Sequence, residues 1–329
     1  MTEWTEAKEK RILWKYRFSL TFRVIRILLG IFLLYVLYNA SIHLFYDYSN
    51  SGEKNAYYAK LAIEWKYPAL QTDFHNPPAD ITPLLTQSLE IPVSRKVGAE
   101  AENVGMADIH KTIFPWFSSQ SMEFFEHNQQ GPFTFYLPEN PRNGEPATFI
   151  DSDQVWERLD KVHEGTVADL AFSTKSFHTP EEMSELLAGY DVDIEWMALY
   201  TGELSDFEIG YSQSGGALMV NGIGLSAGRE IDKQTYQSGA TYPLSQKNIG
   251  QSKDLMLANM KNILDKGMPY YKHFLELPHL QERYTYMNEH GFDVYGAVVT
   301  GPVEELLKLR EESQLHGVSL GELEYWNWD

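Results

Sequence analysis

In the stretch NGIGLSAGRE, Gly222, Gly224 and Ala227 meet the loose dinucleotide-binding pattern G-x-G-x-x-A, and Gly224, Ser226 and Gly228 meet the nucleophile-elbow pattern G-x-S-x-G. Either chemistry needs a helix directly after the loop, because its amino terminus supplies the donors that meet a phosphate or an oxyanion. The residues that follow, REIDKQTYQSGATYP, carry no apolar stripe. A stretch that fits two unrelated patterns is specific for neither, and the expected role of these glycines is a turn beside a strand.

Asp191, Asp193 and Glu195 alternate and place three carboxylates on one strand face. They could hold a calcium ion, but no glycine-containing loop accompanies them, and a solvated face opposite Val192, Ile194 and Trp196 is the expected reading. The ten histidines form no H-E-x-x-H pattern and no close pair. Cysteine is absent, which excludes a cysteine-ligated zinc site and any disulfide. No metal, no cofactor and no enzymatic activity are therefore expected, with a serine hydrolase using Ser226 as the weakest alternative.

The segment EWTEAKEKRILWKYRFSL is basic and compatible with a helix. It suits a patch attracted to anionic lipid, or a docking peptide for a cytoplasmic protein. In the second reading Trp4, Ile12 and Leu13 supply apolar contact, and Lys8, Arg11 and Lys15 meet an acidic surface. Behind it, FRVIRILLGIFLLYVLYNASIHLFY is free of Asp, Glu, Lys and Arg from Ile27 to Tyr46. Twenty helical residues span about 30 Å, the hydrocarbon thickness of a bilayer. The run exceeds the apolar core of a cleaved signal, so a retained anchor is expected.

Seven Lys and Arg in residues 1 to 26, against Lys54, Lys60 and Lys66 just beyond the run, place the amino terminus in the cytoplasm. The chain carries a net charge of −19, and these basic residues are concentrated ahead of the anchor. Nucleic acid is excluded as a partner of the outer part, since phosphate binding needs clustered Lys and Arg.

Beyond the anchor, SGEKNAYYAKLAIEWKY reads as a short helix with Tyr57, Leu61 and Trp65 at helical spacing, stopped by Pro68. Short alternating runs, SLEIPVSRKVG, GPFTFYLP and PATFIDS, predict a small mostly-β unit, and SDQVWERLDKV predicts a helix capped by Ser152. One order of elements then occurs twice. TVADLAFST, TPEEMSELLAG and DVDIEWMALYTG read as strand, helix and strand; FDVYGAVVTG, PVEELLKLREES and HGVSLGELEYW repeat that order. The expected class is α+β: one amino-terminal transmembrane helix, a small mostly-β region, and a ferredoxin-like duplicated β-α-β domain whose halves flank a helical insertion at 201–291. The expected divisions are 1–22 inside, 23–46 in the membrane, 47–160, and 161–329.

The run YGAVVTGPVEELLKLREESQLHGVSLGELEYWNW resembles the end of the sigma factor regulator carboxyl-terminal domain of Gram-positive membrane anti-sigma factors. The anchor with SGEKNAYYAKLAIEWKYPAL resembles the amino-terminal regulator domain of the same proteins. The resemblance implies an inner segment that binds an extracytoplasmic-function sigma factor and an outer region that responds to envelope conditions. The chain departs from that pattern on the inner side, where about twenty residues are too few for a folded sigma-wrapping domain; action through a peptide-like helix, action together with a second membrane protein, and retention of the sensor part alone are the readings this leaves, with the lipid bilayer as a further partner. A membrane-tethered binding protein without a signalling role is the alternative.

Overall fold

The structure, a computed structural model, describes residues 6–75, 80–125 and 133–328. Helix α1 (Glu6–Ser49) runs 44 residues through both the basic segment and the apolar run without a break. No proline interrupts it, and Glu6 and Glu9 in its first turn complement the helix dipole. Its stretch Lys8–Ser49 is long and apolar enough to cross a membrane. From Ile27 to Leu37 its large apolar side chains are all exposed.

Asn50, in the left-handed region at φ 46°, is the sole residue between α1 and α2 (Ser51–Lys66). The sequence predicts one apolar stripe on α2. Instead every residue from Asn55 to Trp65 is buried, Lys60 and Glu64 included. The reason is position: α2 is enclosed by elements from both ends of the region beyond α1, and polar partners inside the core meet its charges.

Against α2 lies an antiparallel sheet whose main path is Leu70–Thr72, Gln87–Val97, Glu100–Lys111 and Ser119–Phe124. Gln87–Val97 alternates buried and more exposed residues, as a half-covered strand should. A second sheet has the order Ile223–Leu225, Asp193–Tyr200, Asp293–Pro302, Thr166–His178 and Leu315–Tyr325, with every neighbour antiparallel. The helices Pro180–Leu187 and Val303–Lys308, which follow Thr166–His178 and Asp293–Pro302, bring Met183, Leu187, Val303 and Leu306 into the main core with Leu170 and Phe172. Ala171, Trp196, Tyr200 and Val298 belong to a second core with Phe135 and Leu137. Burial on both faces explains the near-continuous apolar runs of these strands. The molecule is thus mixed α and β, with one long apolar helix at its amino-terminal end.

Several local expectations change. Phe133–Pro138 and Ala147–Ile150 form no strand; their backbone groups find single partners, such as Leu137 N–H to Leu218 O at 2.9 Å and Thr148 N–H to Gly216 O at 3.2 Å. Gly131 and Pro132 of the same predicted strand lie outside the described residues. Ser152 does not cap its helix, because its Oγ accepts from Val318 N–H at 2.9 Å. Thr179 does cap, in a reciprocal box with Glu182.

Candidate partner-binding segment and the core that holds it

All of the inner positions singled out from the sequence that can be located lie on α1, and Lys8, Arg11, Ile12, Leu13 and Lys15 are all exposed. At about 100° per residue, Lys8, Arg11, Ile12 and Lys15 share one side, and Leu13 turns away from Arg11 and Lys15. The helix therefore brings four of these residues together and separates the fifth. Trp4 lies outside the described residues. A feature not foreseen is the ladder Trp14–Phe18–Phe22, with ring centroids 5.5 and 5.8 Å apart. Its four-residue spacing was the available signal.

The segment is joined to the residues beyond the apolar run through the single residue Asn50, whose side-chain amide donates to Gln234 O at 2.6 Å. On α2, Glu64 accepts from Thr72 N–H at 2.9 Å, from Thr72 Oγ1 at 2.7 Å, and from the Arg229 guanidinium at 2.6 Å. Lys60, fully buried, donates to Asp73 at 2.8 Å. Burial pushes the Lys60 ammonium below its ordinary range, and Asp73 opposes that fall. Tyr57 Oη donates to Arg229 O at 3.0 Å, and Asn55 receives Tyr270 Oη at 2.8 Å and donates to Gln87 at 2.6 Å. Trp196 Nε1 donates to Glu64 O at 3.0 Å. A helix that leads out of the anchor is thus bonded to strands before residue 100 and to elements after residue 190.

A second buried junction joins the two sheets. Arg95 lies 3.8 Å from Asp169 and 4.0 Å from Glu322, and Glu322 N–H donates to Asp169. Burial pushes the Asp169 carboxyl up to about 6, against the lowering pull of Arg95, and also raises Glu322. Because the folded-state value lies above the unfolded one, the Asp169 contribution is fully present below the ordinary aspartate range and is lost as pH rises through about 6. Lowering the pH from 7 to 5 should therefore add roughly 1 kcal/mol of stability through this group. The difference in unfolding free energy between wild type and Asp169→Asn, measured at both pH values, isolates that gain. A pH-independent difference would contradict it.

The carboxylate face is not free: Lys96 lies 2.6 Å from Asp193 and 3.2 Å from Glu195, and Trp328 Nε1 donates to Asp191 at 2.9 Å. Asn327 donates to Val97 O at 3.0 Å and accepts from Ala99 N–H at 3.1 Å. The terminal aromatic run therefore closes onto the turn at Gly98, while Leu315–Tyr325 forms the sheet edge. Ser226 falls between the strands Ile223–Leu225 and Gly228–Ile231, so a strand follows the glycine motif where a nucleophile elbow needs a helix. It lines a cavity of about 460 Å³ with Glu64, Lys96, Glu195 and Arg229, and no histidine is among the lining residues.

Residues 10–101 match the family model described as sigma factor regulator N-terminal, and residues 159–322 match the one described as sigma factor regulator C-terminal. The chain belongs to the sigma factor regulator family. The regulator is also 23% identical over 255 residues to a protein of Bacillus subtilis (strain 168) described as probable anti-sigma-M factor YhdL. That alignment covers 74% of the regulator but 62% of the relative, so the match spans less than two thirds of the relative's length. No solved structure matches the regulator. In the regulator, the buried pairs Glu64–Arg229 and Arg95–Asp169 cross between the matched parts: Glu64 and Arg95 lie in the first, Arg229 and Asp169 in the second.

Proposed function

We propose that this chain is a single-pass membrane anti-sigma factor that restrains an extracytoplasmic-function sigma factor through the inner part of α1. In this reading residues 1–22 face the cytoplasm, 23–46 cross the membrane, and 47–160 with 161–329 form a non-catalytic outer sensor. The observation that carries it is the order of the two regulator matches along one chain, the first of which includes the membrane-length helix. The probable anti-sigma-M role of the Bacillus relative supports the same assignment. The topology is supported by the basic residues before the apolar run.

We also read the four strands Leu315–Tyr325, Thr166–His178, Asp293–Pro302 and Asp193–Tyr200 as a ferredoxin-like pair of β-α-β halves. Each half leaves room between its strands for one strand of the other, and the interleaved antiparallel order supports that reading. Because α1 leads through one residue into a core helix, a change in the outer region reaches the inner segment as rotation or tilt of α1. Such a signal requires a ligand or condition that binds two states unequally.

The reading predicts that the full chain, extracted from membranes in detergent, retains a sigma factor. Replacing Lys8, Arg11 and Lys15 together by Glu should reduce the retained sigma factor at least about tenfold, equivalent to about 1.4 kcal/mol. Arg23 and Arg26 remain to hold the orientation. Equal retention by the triple variant would remove this face from the interaction.

A further inference from the structure

The described aromatic surface outside α1 is densest at one loop. Ile113, Phe114, Trp116 and Phe117 fall within five residues and are 51 to 70% exposed. The loop is nevertheless ordered from within: Thr112 Oγ1 donates to Phe114 O at 2.5 Å, Phe117 N–H to Phe114 O at 2.9 Å, and Ser118 N–H to Pro115 O at 3.0 Å. An internally bonded loop that holds four large apolar side chains outward marks a contact surface.

Strand register places this loop. Gln87 pairs with Lys111, and His110 with Ser119, so the loops at 82–86 and 112–118 occupy the same end of the first sheet. That end lies beside the anchor, because Tyr38 Oη donates to Pro83 O at 2.8 Å. Tyr38 is eight residues before Tyr46, about 12 Å along the helix, so the 82–86 loop sits beside the apolar run and not beyond it. Ile42 is only 7% exposed, whereas Leu44 and Phe45 on other sides of α1 are 70 and 67% exposed. Leu84, at the tip of the 82–86 loop, is 83% exposed. The outer region therefore covers one flank of the outer half of the anchor.

Three lysines gather at this end, with the Asp265 carboxylate beside them. Lys111 lies 5.7 Å from the ring of Phe274, and Lys266 lies 4.9 and 5.2 Å from the rings of Tyr58 and Tyr270. Lys54 is close enough to act on Lys266 as a side-chain neighbour, and Lys111 acts on it through charge; burial and these two lysines push Lys266 down to about 8. A cation cluster in a chain of net charge −19 suits an anionic surface.

We propose that this end of the outer region rests in the membrane that α1 crosses, with Phe114, Trp116 and Phe117 at the acyl boundary and Lys54, Lys111 and Lys266 at the headgroups of anionic phospholipid. Aromatic rings with adjacent lysines are the residue types that settle at such an interface. The inference rests on the transmembrane reading of α1, and the test separates the two.

Because the chain has no cysteine, single cysteines introduced into the full chain carry a spin label at one site each. Phe117→Cys probes the loop, Leu33→Cys the anchor, and Tyr325→Cys the far end, where Asn327 closes on the turn at Gly98. In nanodiscs of phosphatidylcholine with phosphatidylglycerol, oxygen partitions into lipid and a nickel chelate stays in water. The Phe117 label should show an oxygen-to-nickel collision ratio several-fold above that at Tyr325, approaching that at Leu33. It should move toward water when phosphatidylglycerol is left out. A lipid-like ratio at Leu33 with a water-like ratio at Phe117 would overturn the docking alone, and a water-like ratio at Leu33 would overturn the anchor beneath it. Equal insertion with and without phosphatidylglycerol would overturn the role of the lysines. Spin–spin coupling between Phe117 labels of two chains would assign the surface to a second copy.

Discussion

Glu64→Ala should lower the unfolding free energy of the outer region by about 3–5 kcal/mol, the cost of stranding one member of a buried ion pair. Glu64 is 3% exposed and accepts from three donors, and its loss leaves the Arg229 guanidinium buried without its carboxylate. It also removes the side-chain acceptor that holds Thr72 to α2. At about 2–4 °C per kcal/mol for a region of this size, the midpoint should fall by on the order of 10 °C. Denaturation of the full chain in detergent, followed by tryptophan fluorescence, measures it.

Two comparisons separate the pair from general damage. Glu208→Ala breaks a 2.6 Å contact with Arg142 whose partners are 41 and 75% exposed, and it should leave the midpoint indistinguishable from wild type. The double variant Glu64→Ala with Arg229→Ala should lose less than the sum of the single losses, since neither charge is then left alone. Additive losses would show that the two residues act independently.

The sequence could be read where one element decides its own structure. Thr179-Pro180 followed by Glu182 starts a helix by local hydrogen bonding, and it does so. The apolar run forms a helix because nothing in it breaks one. The repeated strand-helix-strand order was legible because those strands are apolar on both faces. What could not be read depended on residues far apart in the chain. Lys60 and Glu64, four apart on α2, lie outside the Tyr57, Leu61 and Trp65 stripe; their burial is decided by Asp73, Thr72 and Arg229. The glycine motif owes its form to close packing: a Cβ on Gly224 would come within 2.1 Å of the Trp196 ring. Gly98, at φ +68°, likewise leaves room for Asn327, 229 positions later, which a Cβ would meet at 1.8 Å. Residues 133–138 misled because Phe135 and Leu137 are buried without a strand ladder beside them.

For the inner segment, sequence and structure agree on a basic helix and leave its partner to experiment. Removing residues 2–14 while keeping Lys15, Arg17, Arg23 and Arg26 preserves the charges that orient the anchor. It deletes Trp4, Lys8, Arg11, Ile12 and Leu13, most of the proposed contact. The expected result is normal membrane insertion, an outer region of unchanged stability, and a rise in sigma-dependent transcription on the order of tenfold or more, as loss of even about 1.4 kcal/mol of binding would give at limiting affinity. Transcript abundance in cells carrying this deletion, with insertion checked by reporters on either side of α1, is the direct measurement. Correct insertion with every sigma-dependent transcript unchanged would contradict restraint by this segment.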